Sequence, residues 1–269
     1  MTVSNNLHRE LAPITPEAWA EIEEEAARTF KRWIAGRRVV DVVGPLGPEL
    51  AAVPTGHQKK MPDAFDGVSL KKREVSPVIE LRVPFTVTRE AIDDVARGSK
   101  DSDWQPVKDA ATQIAKVEDS IVFNGYPAGP VHGILPHSSN EKISIYDDIE
   151  DLPEAVSKAL AKLRLQGVEG PYSLLLPADM WEQVHEETDD GYPVIKHVNK
   201  LLSGNVIWAP ALDKALVIST RGGDYELHIG RDLSIGYSSH DAETVSLYLE
   251  ETITALPYTD EASVIITAS

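Results

Sequence analysis

His185-Glu186 is where the chain comes nearest to a hydrolytic metal motif. Zinc proteases set two histidines four residues apart on one helix face, with a glutamate between them as general base. Here the residue four beyond His185 is Asp189, so the second ligand is missing. Asp147-Asp-Ile-Glu-Asp151 gathers carboxylates. It lacks the alternating ligands and central glycine of a calcium loop, and Asp151 or a neighbour reads as the cap of the next helix. The eight histidines stand singly; only His228 and His240 suggest a ligand pair. The chain has no cysteine, which removes thiolate zinc sites, disulfides and a cysteine nucleophile. Phosphate-loop, dinucleotide and nucleophile-elbow patterns are absent. With 43 Asp and Glu residues, no catalytic pair can be singled out. Arg221-Gly-Gly-Asp-Tyr225 follows a strand and reads as a tight turn, a hairpin in its simplest form.

The composition is that of a folded chain. Of 269 residues, 42% are hydrophobic and 26% charged, enough for one large domain or two modest ones. The net charge of -17 repels phosphate backbones, so no nucleic-acid partner is expected. No run approaches the ~18 apolar residues of a membrane helix. The opening Met1-Thr-Val-Ser-Asn5 begins no signal peptide. A soluble cytoplasmic protein with no membrane partner is the expectation.

These residues need elements to position them. Pro16 to Ala35 is predicted as an amphipathic helix capped by Thr15, with Trp19, Ile22, Ala26, Phe30 and Ile34 on one face and Gly36 as its stop. Arg37 to Val42 reads as a short strand. Glu49 to Lys60 and Val68 to Thr88 are extended, joined by the irregular tip Met61 to Gly67. Such a two-stranded arm is marginal alone and needs a partner surface. Asp103 to Gly125 is predicted as the longest helix, its apolar face made by Val107, Ala111, Ile114, either Val117 or Glu118, Ile121 and Val122. Helices follow at Leu152 to Leu165, Ala178 to His185 and Val194 to Leu202, with a polar loop from Glu186 to Tyr192. Strands are predicted at Ser173 to Leu176, Val206 to Ala209, Ala215 to Thr220 and Tyr225 to Ile229. Beyond Asp232, Val245, Leu247 and Leu249 alternate, and Val264-Ile-Ile266 is apolar. There is no βαβ rhythm, which favours an α+β fold.

Taken in order, several segments resemble the encapsulin family of bacterial shell proteins. They are Asn6-Leu-His-Arg-Glu-Leu-Ala-Pro13, Ala35-Gly-Arg-Arg-Val-Val-Asp41, Arg82-Val-Pro-Phe-Thr86, Asp93-Asp-Val-Ala-Arg-Gly98, Asp101-Ser-Asp-Trp104, Gly170-Pro-Tyr172, Thr220-Arg-Gly-Gly-Asp-Tyr225 and Asp232-Leu-Ser-Ile-Gly-Tyr237. Each is weak alone; the ordered set is specific. The resemblance implies the tailed-phage major capsid fold, with a peripheral domain carrying a spine helix, an axial domain and an extended loop. It partitions the chain into an N-terminal helix and start of the peripheral domain at 1–48, an extended arm at 49–82, the peripheral domain with its spine helix at 83–129, an axial domain at 130–220, and a return to the peripheral domain at 221–269.

The resemblance also implies partners and sites. Subunits would close into an icosahedral shell around a cargo enzyme, a dye-decolourising peroxidase or a ferritin-like protein, docked by its C-terminal peptide. The positions matching the docking wall are Phe30, Ile34, Arg37, Val39, Asp41, Asp232, Leu233 and Ile235. The loop matching a five-fold pore is Glu186, Glu187, Thr188, Asp189, Asp190, Gly191 and Tyr192. Some members hold flavin through a tryptophan where this chain has Glu90, so no flavin and no other cofactor is expected. Catalysis by the chain itself, as a protease or bacteriocin, and a true phage capsid protein are the alternatives.

Overall fold

Thr15 starts the first long helix as its sequence predicts: its hydroxyl accepts the amide of Ala18 at 3.2 Å, and Pro16 occupies the first turn. A computed structural model describes residues 6–62, 65–145, 148–189 and 191–268. In chain order, α1 (Pro16–Trp33) is followed by a 3-10 turn (Gly36–Arg38), β1 (Asp41–Val43), β2 (Ala52–Lys60), β3 (Lys71–Pro77), β4 (Ile79–Thr88), α2 (Arg89–Ala96) and α3 (Gln105–Asn124). Next come β5 (Gly125–Tyr126), β6 (Val131–His132), α4 (Ile134–His137), β7 (Ile143–Ile145), α5 (Leu152–Leu165), β8 (Tyr172–Leu176), α6 (Ala178–Glu186), β9 (Thr188–Asp189), β10 (Tyr192–Pro193) and α7 (Val194–Leu201). The chain ends with β11 (Val206–Trp208), β12 (Ala215–Ser219), β13 (Tyr225–Ile229), β14 (Ser234–His240), β15 (Thr244–Pro257) and β16 (Ser263–Ala268).

Two sheets organise the molecule. In the first, β15 is long enough to pair with β4 along one edge and with β14 and then β13 along the other, while β1 joins β13 in parallel. The helices α1, α2 and α3 cover it. Ala18, Ile22, Phe30, Ile114, Leu247 and Leu249 fill the core between them. The second sheet has the order β11-β8-β12-β16-β7. Its central strands β8 and β12 are buried at every residue, which is why they are apolar apart from the buried Ser173 and Ser219. A second core surrounds them, built with α5, α6 and α7. Gly125 ends α3 with φ of 75°, and a side chain there would meet the backbone of Gly133 and Val131 at 2.6 Å.

The α+β expectation and the helix from Leu152 to Leu165 hold. Several local readings differ, among them the extended stretch from Val68 to Thr88, which breaks at Val78 into the arm strand β3 and the first-sheet strand β4. Residues 37–42 are not one strand: Arg37 and Arg38 lie in the 3-10 turn, and β1 begins only at Asp41. The helix α2 had no signal in the sequence reading. It is eight residues long, too short to establish a periodicity, and its Thr88 cap on Ala91 was its one local mark. The Gly222-Gly223 turn carries the chain from the second sheet to the first instead of closing a hairpin. Finally, β16 pairs with β12 and β7, so the last strand lies in the second sheet, not with the rest of residues 221–269.

The arm stands apart from both cores. Among the described residues β2 pairs only with β3, and beyond Pro54 the ribbon is almost wholly exposed. Its root is anchored by Val53, which is buried, and by the Ser76 and Thr254 hydroxyls at 2.8 Å.

The cores set a stability contrast. Leu216→Ala empties a site in β12 that has 0% exposure and should cost roughly 3 kcal/mol, whereas Leu165→Ala, at 86% exposure, should stay within ~0.5 kcal/mol. Guanidinium unfolding followed by tryptophan fluorescence measures both; equal losses would contradict this assignment of the core.

Candidate functional site

The end of α1 is fixed by a carboxylate from α3. Ile34 leaves the helix in an extended conformation, and the next two amides, Ala35 and Gly36, donate to Asp119 at 2.8 and 2.7 Å. A side chain at position 36 would sit 2.9 Å from the same carboxylate, so glycine is needed for this approach. Thus Gly36 does not stop the helix itself, which ends at Trp33; it admits the carboxylate that captures the backbone after it.

The 3-10 turn then aims Arg37 between α3 and the first sheet. Its Nε and Nη2 donate to the two oxygens of Glu118 at 2.8 and 2.6 Å. Nη1 donates to Asp232 at 2.8 Å and Nη2 also reaches Glu251 at 3.2 Å. The guanidinium lies 4.9 Å from the centre of the Phe30 ring. Glu118 and Glu251 are fully buried, while Asp232 is 46% exposed on its side chain. Among the described residues Glu251 Oε1 has no hydrogen-bond partner.

One guanidinium cannot neutralise this set. Burial pushes Glu251 well above the usual carboxylate range, and the charge and hydrogen bond of Glu118 push it further. Burial likewise raises Asp119 to about 7, although the two amides and Arg37 pull it back. For Arg37, burial opposes the charge, but the hydrogen bond and charge of Glu118, followed by Asp232, outweigh it and raise its pKa.

The structure divides the predicted docking set. Phe30, Ile34 and Ile235 share the first core at 6%, 7% and 4% exposure, Leu233 packs on it half-buried, and Arg37 and Asp232 join them. Val39 belongs to the other core, and Asp41 is exposed at the Gly222-Gly223 turn, where its Oδ2 accepts the Gly223 amide at 2.6 Å. Both line an 80 Å³ cavity with Arg38, Thr220 and Tyr225. The sequence reading missed Glu118 as a functional residue, along with Asp119 and Glu251. Signals were present: Glu118 falls on the buried stripe with Ile114 and Ile121, while Val117 is the exposed one, and Glu251 continues the alternation of Leu247 and Leu249.

The predicted pore loop is a small hairpin. Glu186 ends α6, Glu187 caps it, and Thr188 and Asp189 pair with Pro193 and Tyr192. Asp190 lies outside the described residues. Glu186, Glu187, Thr188 and Gly191 are exposed and Asp189 is half-buried. Tyr192 turns back onto α7, edge-on to His197 at 4.6 Å and beneath the Lys200 ammonium at 4.5 Å. Among the described residues no three His, Asp or Glu side chains lie close enough to hold a metal ion, and no helix is long and apolar enough to cross a membrane.

Two sheets, a spine of helix and a protruding ribbon together define a capsid-type fold. The structure covers 93% of this chain and 100% of a virus-like particle subunit from Pyrococcus furiosus with a TM-score of 0.64 at 17% identity. For Mycobacterium phage Adephagia the coverage is 88% and 90%, with a TM-score of 0.58 at 14% identity. A family model described as encapsulating protein for peroxidase matches residues 4–254. The type 1 encapsulin shell protein of Rhodococcus erythropolis is 60% identical over 96% of this chain and 98% of its own length. The chain therefore belongs to the encapsulin shell-protein family, a family of structural proteins rather than enzymes.

The buried carboxylates make stability pH-dependent. Glu251 and Asp119 keep protons in the folded state that the unfolded chain releases above about pH 4. The folded state then binds more protons, so stability falls as pH rises from about 5 through the raised folded values to about 8. Glu251→Gln carries no charge to bury and should flatten that decline. Guanidinium midpoints across this range check it; a wild-type midpoint that rises toward pH 8 would contradict the assignment.

Proposed function

We propose that this chain is the subunit of a closed icosahedral shell that encloses a cargo enzyme. The observation that carries the reading is 60% identity to an encapsulin shell protein along nearly the whole chain, in a fold shared with capsid subunits. The exposed arm supports it, because a two-stranded ribbon is marginal without a surface to lie on. In this reading residues 49–78 form the arm, since 79–82 of the expected arm belong to β4 in the first sheet, α3 is the spine, and residues 130–220, completed by β16, form the axial domain. The remainder is the peripheral domain. Pores between subunits admit small molecules and ions.

The family description names a peroxidase, which makes a dye-decolourising peroxidase the first cargo to test and a ferritin-like protein the second. The docking wall would be the rim of the first core. Phe30, Ile34 and Ile235 are nearly closed over, leaving half-buried Trp33, Leu233 and Tyr237 beside the exposed carboxylate of Asp232. β14 pairs with β15 along one edge, and on the other the Tyr237 amide already donates to the Leu7 carbonyl at 2.8 Å, so an extended peptide would lie along the rest of that edge, toward Ser234. Many identical sites on one shell would give an oligomeric cargo avidity from weak single contacts. Val39 and Asp41 would complete the wall from the neighbouring turn.

Expressed alone, the chain should elute as a megadalton-scale particle, and electron microscopy should show closed shells. Co-expressed with a peroxidase bearing its C-terminal tail, it should retain the enzyme. Leu233→Asp should keep the shell and lose most of the cargo, since it places a charge on the apolar rim. A chain that stays monomeric, or particles filled with nucleic acid, would overturn the reading, the latter in favour of a phage capsid protein.

The acidic hairpin supports a second test. Repeated around a five-fold axis, Glu186, Glu187, Asp189 and Asp190 with Thr188, Gly191 and Tyr192 would ring an opening with carboxylates and favour cations. In Asp189→Asn with Asp190→Asn shells, a small cation should reach an enclosed reporter more slowly and a small anion faster, both differences shrinking at high salt. Unchanged rates in intact shells would remove the pore role.

A further inference from the structure

Helices α1 and α3 run parallel, in one register along their contact. The Trp104 indole donates to Glu21 near one end, and the Gly36 amide donates to Asp119 at the other; both pairs are separated by 83 positions. That register sets Thr29 beside Thr112 and Trp33 beside Lys116, whose ammonium lies 4.6 Å from the centre of the Trp33 ring. The apolar faces of the two helices close the first core. Along their outer edges a cavity of about 580 Å³ remains, lined by Thr29, Arg32 and Trp33 from α1 and by residues of α3 from Gln105 to Lys116. Small-molecule sites enclose roughly 300–1,000 Å³.

The cavity gathers cations. Arg32 comes from the last turn of α1, and Lys108, Thr112 and Lys116 follow one another at four-residue spacing on one face of α3. Side chains tilt toward the N-terminus of their helix, so Arg32 and Lys116 lean toward the level of Thr112 and of Lys108. Among the described residues no carboxylate forms an ion pair with any of the three. Neighbouring acids are engaged elsewhere. Asp109 accepts the Gln105 side-chain amide at 2.7 Å, and Glu25 pairs with Arg28 and accepts the Thr29 hydroxyl at 2.8 Å. On a chain of net charge -17 this is a local reversal of sign. Beside it stands an aromatic platform. Trp33 is half-buried and packs on Trp208, with ring centres 4.9 Å apart. An exposed cation–π contact is weak, so Lys116 can leave the indole for an incoming anion and uncover the ring.

We propose that this groove binds a nucleoside diphosphate, its base on the Trp33 indole and its phosphates among Arg32, Lys108 and Lys116. Stacking on an indole tolerates any base, and charge-assisted hydrogen bonds hold the phosphates. Thr112 and Gln113, between the two lysines, carry the hydroxyl and amide that a ribose can bond. The net charge of the chain opposes a long phosphate backbone, but screening confines that repulsion to about 8 Å, and a single diphosphate meets the three cations first. The site goes beyond the shell reading and does not rest on it.

The test titrates the full chain, expressed without cargo, with ADP at low salt in the presence of a metal chelator, followed by isothermal titration calorimetry. Saturable binding that weakens as salt rises is expected. Pyrophosphate, which lacks the base, should bind roughly tenfold more weakly, and adenosine, which lacks the phosphates, should give no measurable binding. Arg32→Gln with Lys108→Gln should weaken ADP roughly tenfold and flatten its salt dependence. Trp33→Leu should weaken ADP by a similar factor and leave pyrophosphate unchanged, while Trp33→Phe, which keeps a ring, should retain most of the affinity. Circular dichroism establishes that each variant is folded, and the Arg32 and Lys108 pair decides the matter if Trp33→Leu is not. Absence of saturable ADP binding would overturn the site. So would ADP bound no more tightly than pyrophosphate, which would leave an anion-binding patch only, or ADP binding untouched by Arg32→Gln with Lys108→Gln, which would put the nucleotide elsewhere.

Discussion

The guanidinium of Arg37 touches carboxylates from three separate stretches of chain: Glu118 in the middle of α3, Asp232 before β14 and Glu251 in β15. Taking an ion out of water costs several kcal/mol even after relaxation, so burying Glu118 and Glu251 together is a debt that one cation does not cover. The cluster holds because burial and the neighbouring Glu118 favour the protonated form of Glu251, and because Asp232 stays at the solvent edge. Its consequence is geometric. The end of α1, the spine helix and the long strand of the first sheet can come together in only one arrangement that satisfies the guanidinium, and Asp119 enforces it one residue away by capturing the Ala35 and Gly36 amides.

That rigidity contrasts with the arm. The two cores are closed by apolar packing, whereas the ribbon of β2 and β3 has a buried root and an exposed, self-repelling shaft. A subunit that builds a lattice needs both properties. Its body sets the angle between neighbouring contacts, so it has to be stiff; its arm gains stability only on meeting another surface, so assembly and ordering are coupled. The charge distribution follows the same division, with cations gathered on the arm and carboxylates over much of the body.

What the sequence made legible was local. The helix from Leu152 to Leu165 and the buried strand ending at Leu176 follow from periodicity and flanking glycine, and they were read nearly to the residue. Elements defined by distant partners were not. Arg37 looked like a strand residue because Val39 and Val40 follow it; only Glu118, 81 positions away, reveals why the chain turns there. The return of β16 to the second sheet depends on pairing with β12 and β7, which leaves no trace in Ser263 to Ala268 itself. The same limit governed the site. Family resemblance gathered eight docking positions, but the separation of Val39 and Asp41 from the Arg37 group comes from tertiary packing alone.

The buried cluster and the proposed docking rim share an atom group, and this links stability to recognition. Asp232 accepts from Arg37 and from the Leu233 amide, both at 2.8 Å, while nearly half of its side chain faces solvent. When Glu251 is protonated, Arg37 has only Glu118 and Asp232 to neutralise, and Asp232 presents little net charge outward. When Glu251 ionises, the guanidinium is drawn toward two buried carboxylates in a medium of low dielectric, where the attraction is strongest. Asp232 is then less fully compensated, and the rim becomes more negative. A buried proton thereby bears on the charge that Asp232 presents at the surface.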